Sequence, residues 1–344
     1  MAQSQSQGQP MTPLGLSLRE TDTSMPAPNW DVEELVDEER QPGQHRTSTT
    51  VLGGDLTARK QRSLWSDAWR RLRRNKLAIV GLIIVLTFSV IAVFASVIAP
   101  YGQAEVVDFR LARHHPSWTW PMGLDANGRD IFSRMVYGAQ VSLVVGVLAQ
   151  AIVLLIGVPL GAVAGYFGGM TDNVLMRLVD VIYAIPQLLM VLLFVNWWGP
   201  GLLNIFLAIG LVGWVTEARL VRGQFLSLRE QEYVQAARVV GADGGYIIRK
   251  HMLPNSLTPI IVALTFGIPT AIFTEAALSF IGVGIRPPQA SWGQMVADGA
   301  KPGYIVTDPH MLLFPVLAIG LTMLGFSFLG DGLRDALDPK GSRG

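Results

Sequence analysis

The sequence has 344 residues, of which 50% are hydrophobic and 15% charged, with a formal net charge of +1 and no cysteine. Soluble domains carry about 25% charged residues, so the polar side chains here are too few to cover a water-exposed globule, and lipid must replace water over much of the surface. Disulfides, thiolate metal sites and cysteine nucleophiles are excluded, and the small net charge gives no reason to expect nucleic acid as a partner.

Residues 1–60 are expected to form a disordered cytoplasmic tail. Gln, Ser, Thr and Pro dominate its start, and an acidic run follows (Asp31, Glu33, Glu34, Asp37, Glu38, Glu39). Such a segment buries too little apolar surface to offset its ordering entropy. No apolar stretch lies near Met1, so it is not a signal peptide. The acidic run is either a solvated tail or a short helix for a partner. Over 61–76 the pattern changes. Trp65, Trp69 and Leu72 recur at three or four residues, with Arg70, Arg71, Arg73, Arg74 and Lys76 among them. This predicts an amphipathic cytoplasmic helix at the membrane surface, leading into the first span.

Residues 77–340 read as an all-α domain of six transmembrane helices, over 77–99, 139–165, 174–197, 201–220, 256–282 and 311–331. A helix rising about 1.5 Å per residue crosses a core of about 30 Å in some 20 residues, whereas buried helices of soluble proteins need apolar runs of only about 10–14. Trp197-Trp198-Gly199-Pro200 makes a turn between the third and fourth spans, with interfacial tryptophans and a helix-breaking Gly-Pro. Lys and Arg collect before the first span and between the fourth and fifth (Arg219, Arg222, Arg229, Arg238, Arg249, Lys250). The positive-inside rule then puts both segments, and both termini, in the cytoplasm.

Few charges fall within the spans. Glu275 lies in the fifth, where a lipid-facing carboxylate costs about 2.5–3.5 kcal/mol, so it is expected to face a pathway or a partner subunit. Asp180, at the inner end of span three, is a candidate for pairing with Arg177 three residues away or for gating the pathway. Arg219 and Arg222 read as snorkelling anchors. His114-His115 has no neighbouring cysteine, so no metal site is expected. Gly157, Gly161 and Gly165 form a G-x-x-x-G series for close packing, within the chain or against another subunit.

The most informative stretch is the loop 228–254. Tyr233, Val234, Ala237, Val240 and Gly241 recur at helical spacing, Ala236 and Ala237 admit a close neighbour, and Gly241 is a natural stop. Q-A-A-x-x-x-G, then His251, Leu253 and Pro254, resembles the EAA loop of ABC importer permeases. Gln235 stands where many members have Glu, and His251 stands where Ile is usual. R-R-N-K-L-A-I-V-G-L (73–82), G-L-D-A-N-G-R-D-I-F-S-R (123–134, with Leu124 for Thr), 275–293 and G-D-G-L-R-D-A-L-D-P (330–339) resemble the dipeptide and oligopeptide branch, in particular its C-type subunit.

That resemblance implies a type I ABC importer permease fold with both termini inside, in a bacterial or archaeal inner membrane. It implies a translocation subunit, not an enzyme, for di- or oligopeptides; relatives with nickel, glutathione or oligosaccharide as cargo share the architecture. Tyr233, Gln235, Ala236, Ala237, Gly241, Ala242, His251, Leu253 and Pro254 would form the ATPase-coupling segment. Asp125, Arg129, Asp130 and Trp292 would meet an extracytoplasmic binding protein. A second homologous permease and two ATPase subunits would complete the assembly. The chain lacks G-x-x-x-x-G-K-[ST], so ATP and magnesium would be used by the ATPases, and no cofactor is expected on this chain. A secondary transporter would need ionisable residues at depth, of which the spans offer little beyond Glu275. An intramembrane enzyme would need a catalytic pair that the apolar runs lack.

Overall fold

A computed structural model describes residues 64–337. The 1–60 tail, the start of the amphipathic segment and the end of the last motif lie outside the described residues. In chain order the helices are α1 (Leu64–Leu72), α2 (Lys76–Val93), α3 (Ala95–Ile98), α4 (Ile131–Phe167), α5 (Gly169–Tyr183), α6 (Gln187–Trp198), α7 (Leu202–Arg229), α8 (Glu232–Val239), α9 (Gly244–Ile247), α10 (Leu253–Phe280), α11 (Trp292–Gly299), α12 (Tyr304–Thr307) and α13 (His310–Leu337). A π-helical turn, Ile248–Met252, joins α9 to α10. The segments 76–93, 131–167, 202–229, 244–280 and 310–337 are each long and apolar enough to cross a membrane, and α5 with α6 makes a sixth if that bent pair counts as one span.

Local chemistry sets the boundaries. Asn75 opens α2 by accepting from the N–H groups of Leu77 and Ala78 at 3.1 and 3.2 Å. Asp130 opens α4 through the Ser133 N–H at 2.8 Å, so the second span starts well before residue 139. The third span is broken. α5 and α6 meet at 80°, because Pro186 supplies no N–H and its ring disfavours helical geometry at Ile185. The fourth span does not stop at 220; α7 stays helical through the charged stretch to Arg229.

Two packing solutions bury this bundle. α1 docks on the end of α13, with Ala68 and Leu72 against Ala78, Ala336, Leu333 and Leu337. α2 exposes Leu77, Ile83, Leu86, Val90 and Val93, a face suited to lipid. The most extensive contact is α4 against α7. Here Gly157, Gly161 and Gly165 form the stripe: a Cβ on Gly161 would sit 2.4 Å from the Ala218 carbonyl oxygen, and one on Gly165 2.5 Å from the Phe225 Cβ. The G-x-x-x-G series therefore works inside the chain, bringing two backbones together where lipid gives no hydrophobic drive to associate.

Candidate coupling surface and transport cavity

α8 is a short helix pinned on one side and bare on the other. Val234 is fully buried with Phe225, Ile247 and Met252, and Ala237 and Ala242 pack around them. Tyr166 at the end of α4 stacks under the Arg238 guanidinium at 4.9 Å. The helix closes on Gly241 at φ +84°, with the Ala242 N–H bonded to the Ala237 carbonyl at 3.0 Å and the Gly241 N–H to that of Arg238 at 2.9 Å. This double bond pattern caps a helix end through a left-handed residue. On the bare side stand Tyr233, Ala236, Val239 and Val240, the two valines each 88% exposed. The valines are the most exposed part of the ridge, and neither was among the expected coupling residues.

The other expected members of the segment support this helix. Gln235 donates to the Arg229 carbonyl at 3.0 Å, tying α8 to the end of α7. The His251 ring lies 6.3 Å from that of Tyr233 and 5.7 Å from that of Tyr246. Leu253 and Pro254 begin α10 just after the π-helical turn, a position where the missing proline N–H costs least.

At the far end of α4 the expected docking residues are all buried. Asp125 accepts from the Asn127 and Arg129 N–H groups at 2.8 and 3.0 Å and from Arg129 Nε at 2.8 Å. Its second carboxylate oxygen also takes a very short bond from Arg134 Nη1. Asp130 is the α4 cap and also holds the Ser133 hydroxyl at 2.7 Å. Trp292 donates from Nε1 to the Met135 carbonyl at 3.0 Å and packs edge-on against Phe88. These four residues close a loop upon the bundle; they are not a free contact surface as expected. Trp118, Phe109 and Val306 are exposed nearby instead. Asp308 ties the two loops together, 3.5 Å from Arg113. Among the described residues no group of three or more His, Asp or Glu is placed to hold a metal ion.

Within the membrane the charges fall differently from the sequence reading. Glu275 is wholly enclosed by its own chain, accepting from the Ser279 hydroxyl at 2.7 Å with Ser142 and Ser291 beside it. It reaches no outer surface. Asp180 pairs with Arg219, 39 residues on, at 2.6 Å, not with Arg177. The Arg219 guanidinium also covers the Tyr183 ring at 4.0 Å. Arg222 clasps both oxygens of Asp172, the second at 2.6 Å. The arginines taken as anchors thus bolt α5 to α7.

Between α4, α6, α7 and α10 lies a cavity of about 290 Å³ with Gln150, Gln187, Thr216, Glu217, Thr270 and Thr274 in its wall. Glu217, inside the span expected at 201–220, is not among the expected site residues; only the packing of four helices sets it beside this cavity. A second cavity, of about 710 Å³, includes Gln224, Asn255, Thr258 and Arg334 and shares Leu220, Ala263 and Phe266 with the first. Together they trace a route from mid-bundle toward the end that carries α8.

Residues 157–343 match the family described as binding-protein-dependent transport system inner membrane component. Residues 63–116 match the N-terminal TM domain of oligopeptide transport permease C. The chain is similar to the dipeptide transport system permease protein DppC of Bacillus subtilis (strain 168), 46% identical over 88% of this chain and 97% of that one. It is 45% identical to the oligopeptide transport system permease protein OppC of the same organism, over 82% of this chain and 92% of that one. It is 42% identical to the glutathione transport system permease protein GsiD of Shigella dysenteriae serotype 1, over 81% and 91%.

Proposed function

Because the chain belongs to the family of binding-protein-dependent transport system inner membrane components, we propose that it is the subunit through which an ATP-driven importer passes di- or oligopeptides, with α8 as the helix on which a separate ATPase acts. The observation that carries the coupling reading is the apolar ridge of Tyr233, Ala236, Val239 and Val240 on a helix whose opposite face is fixed by Val234. Exposed apolar side chains on a rigid mount suit a protein partner. A shove on α8 reaches α7 through Gln235 and α10 through the π-helical turn, the two helices that wall both cavities.

In this reading α8 faces the cytoplasm, both termini are inside, and residues 61–76 lie along the inner surface. Residues 77–340 form the permease domain, with its coupling loop at 228–254. Two ATPase subunits bind ATP and magnesium, and a second homologous permease completes the pathway. An external binding protein brings cargo to the opposite end, where Trp118, Phe109 and Val306 are exposed. The peptide cargo rests on the dipeptide and oligopeptide relatives. The glutathione relative supports a second cargo, itself a small peptide, through the same architecture.

The test is uptake into proteoliposomes holding the chain with its partner permease, ATPases and binding protein. Labelled peptides should enter only with ATP and binding protein present. Uptake of nickel, glutathione or a sugar in place of peptides would keep the mechanism and replace the cargo. Transport without the ATPases would overturn the reading.

A further inference from the structure

Glu217 is a buried carboxylate that takes no part in the ion pairs of Arg219 and Arg222 on α7. It is 5% exposed, and its Oε1 is enclosed with no hydrogen-bond partner among the described residues. It lies 15 residues from the first residue of α7 and 12 from the last, about 22 and 18 Å along the helix, within the fourth span and just ahead of the two arginines that hold α5. Its cationic neighbours on α7 are engaged elsewhere, Arg219 by Asp180 and Arg222 by Asp172. An ionisable side chain inside a span is costly and marks a pathway when it faces a cavity, and Glu217 lines one. Glu275 also has a carboxylate oxygen without a partner among the described residues, but serines surround it, whereas Glu217 lines a cavity.

We propose that Glu217 is the counter-charge for the ammonium group of the cargo, and that the cavity around it is a subsite for the amino end of a peptide in transit. The inference rests on the peptide-importer reading. An ammonium group offers three hydrogen-bond donors and no acceptor. Glu217 lines the space with its Oε1 enclosed and without a donor, so a turn of the carboxylate would present that oxygen to an ammonium group, and Gln150, Gln187, Thr216, Thr270 and Thr274 supply further oxygens around the same space. The volume of about 290 Å³ stands at the small end of ligand pockets, about 300–1,000 Å³. It holds one end of a peptide, and the rest extends past Leu220, Ala263 and Phe266 into the larger cavity.

The chain contains no cysteine, so Ala263→Cys in the cavity wall gives it a single thiol. In the assembled complex, with partner thiols blocked beforehand, a cationic thiosulfonate should label that thiol about tenfold faster than an anionic one, because a charged cleft concentrates counter-ions. The ratio should fall to near one when Glu217→Gln is added. A free-amine dipeptide delivered by the binding protein should slow labelling, and its desamino counterpart should not. Equal rates for both reagents, a ratio unchanged by Glu217→Gln, or equal protection by both peptides would overturn the proposal. If Glu217→Gln does not assemble, the peptide comparison on the Glu217 protein decides alone. A complex that moves peptides yet shows no charge preference sinks only the Glu217 assignment; a complex that moves no peptide at all sinks the importer reading.

Discussion

The two ends of the bundle treat their side chains in opposite ways. At one end Asp125, Arg129 and Arg134 close on one another below the surface, and Trp292 is folded into the core. At the other, α8 offers two valines almost wholly to the outside. The 37 residues of α4 separate these ends by about 55 Å. The most motif-like charges are therefore internal braces, while the surface fit to receive a partner is made of plain aliphatic residues. Charge in a loop gives no guide to contact; what counts is whether the chain's own groups already satisfy it.

The largest effect should follow from breaking the brace. Asp125→Ala takes the carboxylate from Arg129 and leaves Arg134 only its longer contact to Asp298, 3.9 Å away, and removing one partner of a buried ion pair costs about 3–5 kcal/mol. Thermal unfolding in detergent should show a large drop in midpoint, and an unchanged midpoint would mean the loop is not held this way. At the α8 end, the double variant Val239→Asp/Val240→Asp should insert normally, since neither side chain is packed. It should weaken ATPase docking by at least about 2 kcal/mol, the cost of losing an interface anchor, as read by co-purification of the ATPase. Gly241→Val comes next. Open space surrounds this glycine, so the penalty is conformational alone, about 1–2 kcal/mol for a left-handed residue. Gly241→Asn should recover most of it, and hydrogen exchange over 237–243 separates the two. The smallest effect belongs to Trp118→Ala, with stability changed by less than about 0.5 kcal/mol, because its side chain touches little.

Most of the helices could be read from uncharged length, and the stop at Gly241 from its residue type. The 80° break in the third span also had a visible sign in Pro186, masked by the apolar residues around it. Pairing was the harder matter. Arg177 is near Asp180 in sequence, but α5 and α7 pack together and bring Arg219 to it. Glu217 falls inside the span expected at 201–220, but its setting is not local: α7 runs on for 12 residues beyond it. The orphaned carboxylate oxygen and the cavity beside it exist only once four helices are assembled, and no local pattern encodes them.

The central claim is that α8 is the face on which a separate ATPase acts, and a site-directed cross-link tests it most directly. Val240→Cys and Trp118→Cys each place one thiol on a chain that otherwise has none, at opposite ends of the bundle. In the assembled complex a short bifunctional reagent should join Val240→Cys to an ATPase subunit and leave Trp118→Cys unjoined to it. A cross-link from Trp118→Cys to the ATPase, or none from Val240→Cys in a complex that still transports, would contradict the account.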